Sequence, residues 1–436
     1  MTMRDGARRE EPGLSILMIA PTSFFANYGC HVRILEEATA LQRAGHRVTV
    51  CTYPNGDDVP GLTIRRSLGP PGPRRAVVGS SRHKLYLDVA LSLRTILTGL
   101  AVRPDLIHAH LHEGALIGAG LARLLGVPLL FDYQGSLTAE MLDHGFLRPH
   151  GPLVRPTRAL ERAVNHRADA IVTSTANAAR LLTREFGVAA DRVRAVADGV
   201  DTVRFRPGLL GAAERAALRA RYGIGPERRV IVYLGLLAPH QGTGVLLEAA
   251  RIVVAREPRA FFLLGGFPGN ERYRLQAERL GLGAHTSFPG CIPYAEAERF
   301  LALGDIAVGP KLAGTEGNGK LYNYMAMGLP TVASDTPANR EILGDLGVYA
   351  ARGDAVALAD RLLALLARPA EAAQRGRALR YRAVRHLAWD ARMAELLAVY
   401  DRLVGARAPA VAPAVAGAPP SGPVVTIPRP EGEAHD

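Results

Sequence analysis

The feature that most restricts what this chain can fold into is an alternation of short apolar runs with longer amphipathic stretches, sustained from Leu14 to Leu403. Short runs bounded by Gly or Pro read as buried strands and the longer stretches as helices. Repeated in that order, they build parallel sheets covered on both faces. The first unit is complete: a strand over residues 14–20, a loop over 21–30, a helix over 31–44 closed by Gly45, and a strand over 47–53. Further strands are expected at 106–109, 128–131 and 170–173, with helices over 114–125 and through Leu160 and Val164.

Near residues 198–207 the pattern gives way to Asp-Gly-Val-Asp followed by Phe-Arg-Pro, a turn-rich connector. The alternation then restarts with strands at 230–234, 260–264, 286–288, 306–309 and 331–333 and a helix over 244–255. A chain of 436 residues exceeds one ordinary core and suits two. The expected division is a disordered N-terminus over 1–13, a first α/β domain over 14–205 and a second over 206–385. A helix over 386–405 follows, then a disordered Pro/Ala-rich tail over 406–436. A composition of 48% hydrophobic and 22% charged residues excludes a wholly disordered or fibrous chain.

Three scattered cysteines, Cys30, Cys51 and Cys291, lack metal-ligand spacing and fit a reducing compartment. Residues 1–12 are charged, without the apolar core of a secretory signal. The most apolar later stretch, 85–102, contains Asp88 and Arg94 and reads as an amphipathic helix, not a membrane span. A cytoplasmic protein is therefore expected. Of the net charge of +12, six cations (Arg65, Arg66, Arg74, Arg75, Arg82 and Lys84) fall between Val59 and Leu87 without one acid. Two readings stay open: a solvated basic loop, or attraction to phosphorylated acceptors or anionic lipid at the inner face of a membrane. Without a helix-turn-helix, zinc finger or aromatic-interleaved basic strand, nucleic acid is not an expected partner.

Ligands of open parallel sheets bind beyond the carboxyl ends of the strands, so the chemistry is sought there. Gly29, ahead of the first helix, allows backbone N–H groups close to a phosphate and equally fits an ordinary tight turn. Residues 234–244 carry Gly235, Gly242 and Gly244 between a strand and a helix, which favours an anion-binding loop. Residues 310–330 hold the densest polar cluster, with Lys311, Glu316, Gly317, Asn318, Gly319, Lys320 and Asn323. Only three lysines occur in the chain, Lys84, Lys311 and Lys320, and two lie in this segment. A compact ammonium at the start of a helix over 321–327 suits a phosphate.

Five segments of the second half, in order and spacing, resemble glycosyltransferase family 4. They are Val-Tyr-Leu-Gly-Leu-Leu, Phe-Leu-Leu-Gly-Gly-Phe, Phe-Pro-Gly-Cys-Ile-Pro, Gly-Asp-Ile-Ala-Val-Gly-Pro and Asn-Tyr-Met-Ala-Met-Gly-Leu-Pro-Thr-Val-Ala. In the first half, Ala-Gly-His-Arg-Val-Thr-Val, Pro-Asp-Leu-Ile-His-Ala-His and Ala-Asp-Ala-Ile-Val-Thr-Ser are similar to that family's landmarks. The resemblance implies the GT-B architecture, two Rossmann-like doubly wound domains facing across a cleft. It also implies retaining transfer, without metal or cofactor, from a UDP- or GDP-linked nucleotide sugar to a glycan, lipid-linked or small-molecule acceptor. A sugar-nucleotide epimerase and a non-catalytic glycan-binding homologue are the competing readings.

Carried over position by position, the resemblance exposes departures. Where many members place an arginine and a lysine for the diphosphate, this chain has Leu236 and Gln241. The contacts are therefore expected from Lys320, Gly319 and the backbone around Gly242, with Lys311 second. Asn323 falls at the ribose-binding glutamate, and Glu316, in preference to Thr315, at the glutamate touching the donor sugar. Gln134 stands where members place a histidine near the anomeric carbon, and Asp132 either supplies a carboxylate there or holds structure. Gly235, Cys291, Ile292, Gly317, Asn318 and Leu321 complete the expected donor side; Arg74, Arg75, His110 and His112 form the acceptor side. His108, His110 and His112 share a face only if their strand continues, and no metal site is expected. Trp389 is expected to pack, not react.

Overall fold

The computed structural model describes residues 13–25, 29–69, 84–143, 145–313 and 317–405. Arg74, Arg75, Arg82, Thr315 and Glu316, with most of the two expected disordered ends, lie outside them. The described residues form two sheets. The first contains β1 (Ser15–Ala20), β2 (Arg47–Thr52), β3 (Thr63–Arg66), β4 (Leu106–His110), β5 (Leu129–Tyr133), β6 (Ala170–Thr173) and β7 (Val193–Ala195). Their order is β3-β2-β1-β4-β5-β6-β7, with every pairing parallel. The second contains β8 (Arg229–Leu234), β9 (Ala260–Gly265), β10 (Thr286–Gly290), β11 (Ile306–Gly309), β12 (Thr331–Ser334) and β13 (Val348–Ala350). Their order is β10-β9-β8-β11-β12-β13, also all parallel.

The central strands β1, β4, β5, β9 and β12 are buried at every position, the consequence of helices on both faces. Helices α1 (Gly29–Arg43), α2 (Lys84–Val102) and α3 (Leu111–Leu125) belong to the first sheet. Three short strands escape the sequence pattern. Strand β3 is only half-buried and lies inside the basic stretch read as a loop, while β7 and β13 have three residues each. Arg66 is correspondingly not a solvated cation: its guanidinium donates to Asp58 and to the carbonyls of Phe24 and Asn55.

Chain order reverses between β1 and β4 in one sheet and between β8 and β11 in the other. Each reversal leaves a crevice where two neighbouring helices depart in opposite directions. The crevices face one another because the chain ties the halves together. Val200 donates to the Leu387 carbonyl at 2.8 Å, and Ala388 bridges to Val200. The last described helix, Trp389–Gly405, returns Met393, Leu396, Val399 and Tyr400 to the core of the first sheet. Glu341 of the second half accepts from Ala176 and Asn177 of the first, and Tyr294 donates to Glu36 of α1 at 2.9 Å.

Candidate active site

A cleft of about 600 Å³ lies between the sheets, within the range of small-ligand sites. Its walls are the loops that leave the carboxyl ends of β1, β2, β4, β5 and β6 on one side and of β8, β9 and β11 on the other.

On the second-half wall, Lys320 opens a helix of only seven residues, Lys320–Ala326. Its Nζ donates to Gln241 Oε1 at 2.9 Å and to Asn318 Oδ1 at 3.0 Å, and sits 5.5 Å from the centre of the Tyr233 ring. Asn318 is itself fixed, donating to Asn339 Oδ1 at 3.0 Å. Gly235 makes room for the lysine, because a Cβ there would lie 2.7 Å from Lys320 Cε. Lys311 is buried and donates from Nζ to the Gly317 carbonyl at 2.8 Å, bracing the turn that precedes Lys320. The turn reaches the opposite wall: a Cβ on Gly317 would meet Ser174 Oγ at 2.8 Å.

The first-half wall rests on a buried ion cluster. Arg33 of α1 donates from Nε and Nη2 to both oxygens of Asp132 at 2.9 and 3.0 Å, pairs with Glu37 at 3.0 Å, and also binds Asp198. Asp132 Oδ2 lies 2.9 Å from His110 Nδ1 and accepts from Gln134 Nε2 at 2.9 Å. Burial alone would raise the Asp132 carboxyl, yet Arg33 and His110 hold it well below the usual carboxylate range. Glu37 moves the other way: burial, opposed by Arg33, pushes it up to about 8. One guanidinium facing three carboxylates leaves an excess of negative charge, and retaining a proton on Glu37 relieves it. Donor atoms of Glu37, His108, His110 and Asp132 lie within 4.8 Å of one another. Arg33 is the cation already seated beside them.

Residues 28–199 match the model of the glycosyl transferase 4-like domain, and residues 228–368 that of the glycosyl transferases group 1. The chain belongs to this glycosyltransferase family. D-inositol 3-phosphate glycosyltransferase 1 of Catenulispora acidiphila is 28% identical over 407 residues, 89% of this chain and 90% of that protein. Sulfoquinovosyl transferase SQD2 of Arabidopsis thaliana is 26% identical over 328 residues, 74% of this chain and 60% of that protein. Among solved structures, sucrose-phosphate synthase from Thermosynechococcus elongatus superposes with a TM-score of 0.75 at 20% identity. It covers 90% of this chain and 100% of that one. Anabaena HepE with UDP and glucose gives 0.73 at 17%, covering 89% and 100%. The fold is GT-B.

Within this glycosyltransferase, Gly29, His112, Gln134, Gly235, Gln241 and Ile292 line the cleft. So do Lys311, Gly317, Asn318, Gly319, Lys320 and Asn323. Other expected residues stand elsewhere. Asp132 and His110 are fully buried behind Gln134, so neither faces the cleft. Leu321 belongs to the core, and its N–H is already used by the Asn318 carbonyl. Gly242 is left-handed at φ +76° and pressed against the Pro310 carbonyl, which makes its role packing. Cys291 is exposed outside the cleft, whereas Gly29 lines it from the first position of α1 and not from a loop ahead of the helix. Strand β4 ends at His110, so His112 is the second residue of α3, bordering the cleft while it packs against Phe131, Tyr133 and Glu161. Trp389 both packs on Gly199 and touches the cleft.

Sequence reasoning missed Arg33, Asp198, Tyr53 and Glu113, which also line the cleft. Arg33 had a signal: with Glu37 it forms an i,i+4 pair among the core-facing Ile34, Ala38 and Leu41. Tyr53 and Glu113 had only their place just past a strand end, which they share with every other residue there.

The raised Glu37 carboxyl makes stability depend on pH. Its folded form keeps a proton that the unfolded chain releases above 4.5, so its contribution is full below that pH and vanishes above about 8. Buried His31, lowered from 6.5 to about 3 by desolvation, acts on the acid side by refusing a proton the unfolded chain accepts. Between 6.5 and about 8 the Glu37 effect is therefore separable from it. Melting temperature should fall as pH rises through that window, and Glu37→Gln should flatten the fall in a calorimetric pH series.

Proposed function

We propose that the protein is a retaining, metal-independent transferase that moves a sugar from a UDP- or GDP-linked donor to a hydroxyl-bearing acceptor. The observation carrying this reading is the Lys320 ammonium, held on the cleft wall by Gln241 and Asn318. The resemblance calls for cations where Leu236 and Gln241 stand; Lys320 reaches that same loop from another element and brings the positive charge to it. Solved relatives of this fold carry UDP with glucose and ADP, which supports a nucleotide sugar as donor.

In the proposed reaction the bond between the anomeric carbon and the diphosphate oxygen breaks, and the diphosphate leaves as an anion stabilised by Lys320. The acceptor oxygen bonds to the same face of that carbon, and its proton passes to the departing phosphate oxygen. Hydrogen-bond donors aimed at developing charge contribute most when already positioned, which is what the bonds to Gln241 and Asn318 provide. Asn323 offers an amide to the ribose, and Gln134, oriented by Asp132, offers one to the sugar. His112 and Glu113 border the space left for the acceptor.

A thermal-shift panel of UDP, GDP and ADP tests this reading without an acceptor. One of them should raise the melting temperature in proportion to its affinity. No response to any of the three, with binding of free glycans instead, would favour the non-catalytic homologue.

A further inference from the structure

Helix α2 is seated on the first sheet by one face only. Leu87, Leu91, Thr95 and Thr98 are buried against its neighbours β1, β2, β3 and α3. On the other side Leu85, Val89, Leu93, Ile96 and Leu100 follow one another at three- and four-residue steps, flanked by Tyr86 and Leu97. Their exposures run from 37% at Ile96 to 75% at Leu85. Such a stripe is costly on a protein that meets only water. By length and composition Leu85–Val102 would suffice to cross a membrane, but its seated face makes it a helix that lies on a surface.

We propose that α2 docks the protein onto an anionic lipid surface, with this stripe immersed at the level of the headgroups. Charge favours that occupant. The chain enters α2 from the stretch between Val59 and Leu87, which carries no acid. Arg65 is exposed on β3, and Arg103 is exposed just past the helix end. The acid on α2, Asp88, accepts from the Tyr53 hydroxyl. The whole chain carries +12, which adds longer-range attraction.

The test is vesicle flotation of the full-length protein, with phosphatidylcholine alone and with roughly one-third phosphatidylglycerol added. The protein should float with the mixed vesicles and less with the neutral ones. Leu93→Glu with Leu97→Glu should weaken binding by roughly 100-fold or more, two apolar side chains no longer leaving water. Its melting temperature and its response to nucleotide should match the parent, so a failure here is distinct from a failure of the transferase reading. Absence of flotation by the parent, or equal flotation by the variant, overturns the proposal. So does a dimer in sedimentation velocity that the variant dissociates, which would assign the stripe to a second copy.

Discussion

Replacing Lys320 with alanine should lower kcat/KM by about 100- to 1,000-fold while leaving the fold intact. That range is what removal of one positioned charge-stabilising donor costs in other enzymes. The lysine is half-buried, so its loss takes away its bonds to Gln241 and Asn318 without opening the core. Steady-state kinetics beside a melting curve separates the two effects. If the variant turns over like the parent, the diphosphate does not contact this residue. Lys311→Ala provides the contrast. That ammonium braces the Gly317 carbonyl from a buried position, so its loss should show in melting temperature as well as in rate.

The second large effect concerns stability. Arg33→Met should cost about 3–5 kcal/mol, because it strands the carboxylates of Asp132 and Asp198 without their cation, Glu37 already holding a proton. For a domain of this size that lowers the melting temperature by roughly 10 °C. Adding Asp132→Asn to Arg33→Met should recover part of the loss by removing one of the stranded charges. A single variant that melts with the parent would show that the cluster is not the ionic keystone its geometry describes.

These two residues also mark what the sequence made legible. Lys320 stood out because lysine is nearly absent from the chain and because it follows a glycine-flanked asparagine after a buried strand. Arg33 was hidden: arginine is common here, and only tertiary packing turns one copy inward to meet Asp132, far along the chain. The strand and helix alternation disclosed both sheets because their central strands are buried on both faces and so read as unbroken apolar runs. The edge strands β3, β7 and β13 did not show, being short and partly exposed. The histidines mislead for a related reason. An alternating pattern assumes that a strand continues, and β4 stops at His110, which sends His112 onto a helix and leaves His110 behind the wall. At Leu321 the error was one of direction, since the residue beside a cleft lysine on a helix points into the core.

The most direct test is a crystal structure with the nucleoside diphosphate that stabilises the protein best. The diphosphate should lie in the cleft between the two sheets, with an oxygen within hydrogen-bonding distance of Lys320 Nζ. Density for the nucleotide away from that ammonium, or none in the cleft, would contradict the assignment.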